Sequence, residues 1–444
     1  MDIHLHVLLH GLWGSTKHLE PAVCVFSARH CQPNSDSELV IESQNQVQLL
    51  LIEANQDSRT YDGIDWGAER AVEEIQEAIR KISSEGDRVT KFSITGYSLG
   101  GLYARYVLAI IYAKHFFDTV QPMNFTTFAT PHIGIPDVKH SLFSYLSRYV
   151  GSRMLGNTGK QLYCFDRWGK TGRPLLEVMA DKDLVFWKAL NSFQNIDIYV
   201  NAVHDRMVPY VSGAFELLDP FEAHIDDIQV EFHSHYFPML KSWTLSDDRE
   251  NKISSSCSEH FETWKPLPFM GPFIQWNFPF NLILMALFPI IIPVVIVLLP
   301  ITLALNTRSS GFRVKSLERA SMSAQEKLAQ IFATLDHTMM DMLEQPTPNN
   351  TSTSTTPDTT STVAEVKTTP ISRKQPPTAI TSNLSAAQQR MVVDLNQLPV
   401  RKHLTWIHPT RNSHAIIICR EKDQFPGHAL GEGVLKHWAD HFTT

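Results

Sequence analysis

Cysteine is scarce in this chain and poorly placed for cross-linking. The five residues, Cys24, Cys31, Cys164, Cys257 and Cys419, are odd in number, scattered, and form no Cys-x-x-Cys pair. That excludes a disulfide framework and a structural zinc site, and it reads as a reduced, intracellular protein. An excess of positive charge is missing too. The formal net charge is −7 at pH 7 with no basic stripe, so nucleic acid is not an expected partner. Residues 1–10 have neither a basic flank nor a long apolar run, and they are not read as a secretory signal. One more absence is local. No charged residue stands between Pro266 and Thr307, and Phe278 to Leu305 is almost wholly apolar. Such a run can span a hydrocarbon layer of about 30 Å. Pro279, Pro289, Pro293 and Pro300 interrupt it, and each removes a helical hydrogen bond. A re-entrant hairpin bent near Pro289–Pro293 is therefore the alternative to a span, and it would suit the single phospholipid layer of a lipid droplet.

What is present centres on residues 92–106, FSITGYSLGGLYARY. A β-prone run ends at Gly96, a helix-prone run begins near Leu99, and Gly-x-Ser-x-Gly lies between. A tight strand-to-helix turn strains its central residue and lifts that side chain clear of the sheet. Gly96 and Gly100 give the turn room to close. The following helix directs its positive dipole end at Ser98. Around this elbow, residues 3–9 read as a buried strand ending at His10-Gly11-Leu12-Trp13-Gly14. Residues 17–31 read as a helix followed by a strand near Ala22–Ser27, and 66–83 as an amphipathic helix with Ala71, Val72, Ile75, Ala78, Ile79 and Ile82 on one face. Strands follow at 89–95, 123–130 and 197–202, with a helix over 99–115 and mostly helical sequence over 137–195. The alternation implies an α/β fold with a mostly parallel sheet and helices on both faces.

The chain divides into a core (1–245), a linker (246–265), the apolar segment (266–307), a basic, amphipathic helical region (308–344), a Thr/Ser/Pro-rich stretch expected to be disordered (345–388), and a C-terminal part (389–444). Arg308, Arg313, Lys315 and Arg319 directly follow the apolar segment, which favours the cytosolic side of a membrane for this flank.

A serine nucleophile needs an acid and then a base, in the chain order Ser, Asp or Glu, His. Asp205 follows the 197–202 strand directly; Asp219 and Asp181 fit less well. For the base, His414 lies in a polar loop before the closing helix (430–442), and His428 is its closest rival; His233 and His235 would serve only if the tail were a separate domain. Oxyanion donors are expected from the amides of Leu99, after the nucleophile, and Leu12, after the first strand. His10 and Gly11 would shape that loop, and His132 in Thr130-Pro131-His132-Ile133-Gly134 would line the site or shape its rim. No metal or organic cofactor is needed.

HVLLHGLWG (6–14), YDGID (61–65), GYSLGGLYARY (96–106), ATPHIG (129–134), NAVHDRMVPY (201–210) and SHAII (413–417) together resemble the serine esterase family of unknown-function domain 676, in particular its fungal lipid-droplet phospholipase and lipase members. The resemblance covers about 1–245 and 390–444. It implies an α/β-hydrolase fold and hydrolysis of glycerolipid acyl esters, with a lipid ester as substrate and a droplet or endoplasmic-reticulum membrane as the surface. A lipid acyltransferase or thioesterase would share the same residues. A non-catalytic membrane-tethered scaffold is the alternative of another class, distinguished by an incomplete triad.

Overall fold

The computed structural model describes residues 1–30, 47–136, 142–222, 225, 227–245, 298, 301–317, 380–381 and 384–444. Its centre is a six-stranded, all-parallel sheet. In chain order the strands are β1 (Asp2–Leu9), β2 (Val47–Leu51), β3 (Arg88–Tyr97), β4 (Gln121–Phe128), β5 (Asn195–Asn201) and β6 (Val400–Thr405). In space they run β6-β5-β4-β3-β1-β2. The chain therefore starts in β1, steps outward to β2, returns across β1 to β3, and then builds toward β6. In an open parallel sheet the crevice forms where the winding direction reverses, at the carboxyl ends of the strands. Here that place lies between β1 and β3, whose register runs from Ile3 opposite Val89 to Leu9 opposite Gly96. The loop after β1 and the elbow after β3 thus emerge side by side.

The strands are apolar because both faces are covered. The outer half of each of β1, β3 and β4 is buried without interruption. Polar groups inside the sheet are paired across strands, with His4 Nε2 2.7 Å from Ser93 Oγ and His6 Nε2 2.9 Å from Thr95 Oγ1. Helix α2 (Ile64–Ser84) packs its apolar stripe against α3 (Leu99–Ala113), which is buried continuously from Leu99 to Ile111. On the other face, α1 (Glu20–His30) meets the closing helix Glu432–Asp440, where the Phe26 ring lies 5.2 Å from Trp438 and 4.8 Å from Phe442.

Two local expectations are corrected. Ala22–Ser27 is part of α1, not a strand: Ala22 and Phe26, one helical turn apart, both join the buried apolar cluster that includes Trp438 and Phe442, and that packing overrides the β-branched residues between them. The strand β2 was not anticipated. Residues 137–195 do carry helices, at Leu142–Met154, Gly156–Leu162, Leu175–Ala180 and Val185–Asn191. The tail re-enters the body through the helix Ala386–Leu395, held by Gln388 Nε2 donating to Ile133 O at 3.0 Å, and through β6 at the sheet edge.

Most of the apolar segment, 266–297 and 299–300, lies outside the described residues, as do 246–265 and most of 318–383. Among the described residues no helix is long and apolar enough to cross a membrane. Residues 301–317 form a helix that docks on the body. Its Arg313 reaches Asp62, a carboxylate with no solvent exposure, at 2.9 Å; Arg70 approaches the other oxygen, also at 2.9 Å. Two cations from distant parts of the chain account for the acid in the Tyr61-Asp62-Gly63 stretch.

Candidate active site

At the elbow, Ser98 has φ 55° and ψ −122° and immediately precedes α3. This left-handed strain is held in place by close backbone approach. A Cβ on Gly100 would stand 2.2 Å from the Leu9 carbonyl oxygen, and one on Gly96 would stand 2.4 Å from Gly101 Cα. Neither contact can be relieved by moving a flexible side chain. Ser98 N donates to Phe128 O at 2.8 Å, and Thr130 Oγ1 donates to Ser98 O at 2.9 Å, so β4 and its exit loop brace the turn. The loop after β1 is equally close: a Cβ on Gly11 would lie 2.8 Å from Ser98 Cβ.

His414 Nε2 lies 3.0 Å from Ser98 Oγ, and its Nδ1 lies 3.0 Å from Asp205 Oδ2. The imidazole is 8% exposed and the carboxylate 1%. Asp205 is fixed on both sides. Oδ1 accepts from Met207 N at 3.0 Å and Val208 N at 2.8 Å, while Oδ2 accepts from Asn201 Nδ2 at 2.8 Å. The His414 loop is pinned to the Asp205 loop through Ser413 N to His204 O (3.0 Å) and Ser413 Oγ to Val203 O (2.9 Å). Tyr97 completes the seat. Its hydroxyl donates to His414 O at 3.0 Å, and its ring lies 5.2 Å from the imidazole.

Other expected residues fall nearby or elsewhere. Leu99 is the first residue of α3, so its amide has no partner within the helix. Leu12 lies in the turn closed by Gly14 N to Gly11 O, 3.1 Å. His10 is buried beneath that turn, with Nδ1 3.0 Å from Gly11 O, and burial lowers its pKa, so the ring is neutral at physiological pH. His132 does not reach the serine. It is buried, bonded to Thr127 Oγ1 at 3.0 Å and set edge-on to Phe215, and desolvation keeps it neutral. Its backbone oxygen accepts from the fully buried Arg105, whose other nitrogen donates to Met179 O at 3.0 Å. Burial pulls the Arg105 guanidinium down to about 10. His428 is turned away, with Nδ1 against Arg420 O and its ring stacked on Phe425. Asp219 instead accepts from the amides of Phe221 and Glu222, and Asp181 pairs with Arg173.

Tyr97, Asn201 and Thr130 were not expected at the site. Tyr97 occupies the variable place in Gly-x-Ser-x-Gly, and Asn201 ends the strand before Asp205, so position carried the only signal.

Ser98 and Asp205 lie within the stretch that a known family matches, and His414 lies outside it: residues 1–217 correspond to the family described as "Putative serine esterase (DUF676)". The similarity to this family covers just under half of the chain. Among curated sequences, a putative lipase of Schizosaccharomyces pombe is 27% identical over 48% of this chain and 26% of its own length. A putative lipase of Saccharomyces cerevisiae is 35% identical over 30% of this chain and 20% of its own length. The chain thus spans about a quarter of the length of these fungal relatives. The doubly wound parallel sheet and the strained serine elbow are those of an α/β-hydrolase fold, and over residues 1–217 the chain is similar to the serine esterase family.

Proposed function

We propose that the protein hydrolyses acyl esters of glycerolipids, phospholipids or acylglycerols, at an intracellular membrane or lipid-droplet surface. The observation that carries this reading is the unbroken line from Ser98 Oγ through His414 to Asp205, two contacts of 3.0 Å each. Ser98 attacks the ester carbonyl while His414 Nε2 takes its proton. Asp205 holds Nδ1 protonated and stabilises the imidazolium that forms. The amides of Leu99 and Leu12 meet the oxyanion. His414 then protonates the leaving alcohol, and water, deprotonated by the same nitrogen, releases the fatty acid and restores Ser98.

A lipid substrate is supported by the fungal relatives, each named a putative lipase, and by the apolar, charge-free composition of 266–307. Such a segment raises the local concentration of an insoluble substrate without altering the chemistry. The basic residues after it favour a cytosolic catalytic domain.

The test is product analysis with the purified full chain on mixed phosphatidylcholine and triacylglycerol emulsions. Wild type should release free fatty acid and Ser98→Ala should not. Release by neither protein, or a transferred ester in place of free acid, would overturn hydrolysis.

A further inference from the structure

The helix over 301–317 presents two different faces. Toward the body it carries Thr307, Ser310, Gly311 and Val314, three or four residues apart and hence on one side. Thr307 Oγ1 donates to Met154 O at 2.8 Å, and Val314 is buried against Trp66. Between this face and the helices Leu142–Met154 and Gly156–Leu162 lies a cavity of about 310 Å³, bordered by Arg153, Asn157, Lys160, Thr307 and Ser310. Its lining holds two cations, one amide, two hydroxyls and, among the described residues, no carboxylate. That composition opposes the chain's overall charge of −7.

The outer face carries Ile301, Leu305 and Phe312, which are 47%, 59% and 63% exposed. Arg308 lies on the same side, its guanidinium 5.7 Å from the Phe312 ring. Exposed apolar side chains interleaved with basic ones match an interface of hydrocarbon and anionic head groups. Residues 301–307, the described end of the apolar segment, are the first turns of this helix and lead directly to the cavity.

We propose that the cavity takes the phosphate of an anionic glycerophospholipid, seating the enzyme on anionic regions of its lipid surface, while Ile301, Leu305 and Phe312 on the outer side of the same helix meet the acyl chains of neighbouring lipids. Arg153 and Lys160 pair with the phosphate, and the hydroxyl of Ser310 and the amide of Asn157 supply hydrogen bonds to its oxygens. This rests on the lipid-surface reading above, and it adds a lipid class recognised outside the Ser98 crevice.

The test uses the full chain, floated with vesicles of phosphatidylcholine alone or with phosphatidic acid added. Wild type should partition more strongly into the anionic vesicles. The double variant Arg153→Gln, Lys160→Gln should lose about five- to thirtyfold of that preference, the worth of one to two basic groups at an anionic surface. It should keep its partition into pure phosphatidylcholine and its Ser98 labelling by a fluorophosphonate. The exchange Arg153→Lys, Lys160→Arg should retain the preference. A glutamine double variant with the full anionic preference would overturn the proposal. So would inorganic phosphate, at the concentration of the phosphatidic acid, erasing the wild-type preference, since the occupant would then be a free anion. The hydrolase reading fails separately, through absent labelling of wild-type Ser98, and the flotation comparison stands apart from that result.

Discussion

Replacing Asp205 with asparagine isolates what the carboxylate does for His414. The substitution keeps size and shape, and the surroundings dictate how the amide must sit. The amides of Met207 and Val208 both donate to Oδ1, at 3.0 and 2.8 Å. The new carbonyl oxygen therefore takes that position, and the new NH2 group takes the place of Oδ2. There it faces two groups that had been donors, Asn201 Nδ2 at 2.8 Å and His414 Nδ1 at 3.0 Å. Asn201 is itself held, because its own oxygen accepts from Thr405 Oγ1 at 2.9 Å. The least costly response is a tautomer change in His414. Nδ1 becomes an acceptor and Nε2 carries the hydrogen, pointing it at Ser98 Oγ. A protonated Nε2 cannot accept the serine proton, and no carboxylate remains to stabilise an imidazolium. The expected loss in kcat is about ten-thousandfold, while the mismatched donors lower stability by about 1–3 kcal/mol. Hydrolysis of a soluble short-chain nitrophenyl ester, measured beside a denaturant melt, separates the two effects. A variant that stays folded and keeps more than about a tenth of wild-type kcat would refute the reasoning.

Burial raises the Asp166 carboxyl to about 6. The folded state thus holds that proton more tightly than the unfolded chain, and stability contributed by this group falls as pH rises from about 4 to about 6. Asp166→Asn should gain up to about 3 kcal/mol over wild type at pH 7 and nothing below about pH 4; equal denaturant midpoints across that window would contradict this. Arg313→Ala leaves the buried Asp62 with Arg70 alone and should cost about 2 kcal/mol, with faster amide exchange over 301–317 and in the Asp57–Tyr61 turn. Gly100→Ala sets a Cβ against the Leu9 carbonyl at 2.2 Å and should lower the denaturant midpoint by several kcal/mol equivalent, more than about 3, and abolish labelling of Ser98.

The parts of the fold written locally were legible in the sequence. The elbow is one strand, one turn and one helix in succession, and its glycines sit where the backbone leaves no space for a Cβ. The parallel sheet followed from strand–helix alternation. What failed were segments whose conformation is set from afar. Val23 and Val25 suggest a strand, but Phe26 is claimed by Trp438 and Phe442 from the other end of the chain. Val47–Leu51 is short and lacks a periodic partner nearby, so β2 left little signal. In the site, the loop position of His414 distinguished it from His428 only as a preference. The distance itself depends on β6 pairing with β5, a register no local pattern states. The parts played by Tyr97 and Asn201 were hidden for the same reason: each is a single polar residue whose partner is fixed only by how loops meet. Residues 266–297 remain a composition, charge-free and proline-broken.

The central claim is that Ser98 is activated by His414, and the direct measurement is fluorophosphonate labelling and ester hydrolysis of wild type, His414→Ala and His428→Ala under one set of conditions. Wild type and His428→Ala should both label and turn over, while His414→Ala, still folded, should lose activity by at least about a thousandfold. Activity kept in His414→Ala and lost in His428→Ala would contradict the account.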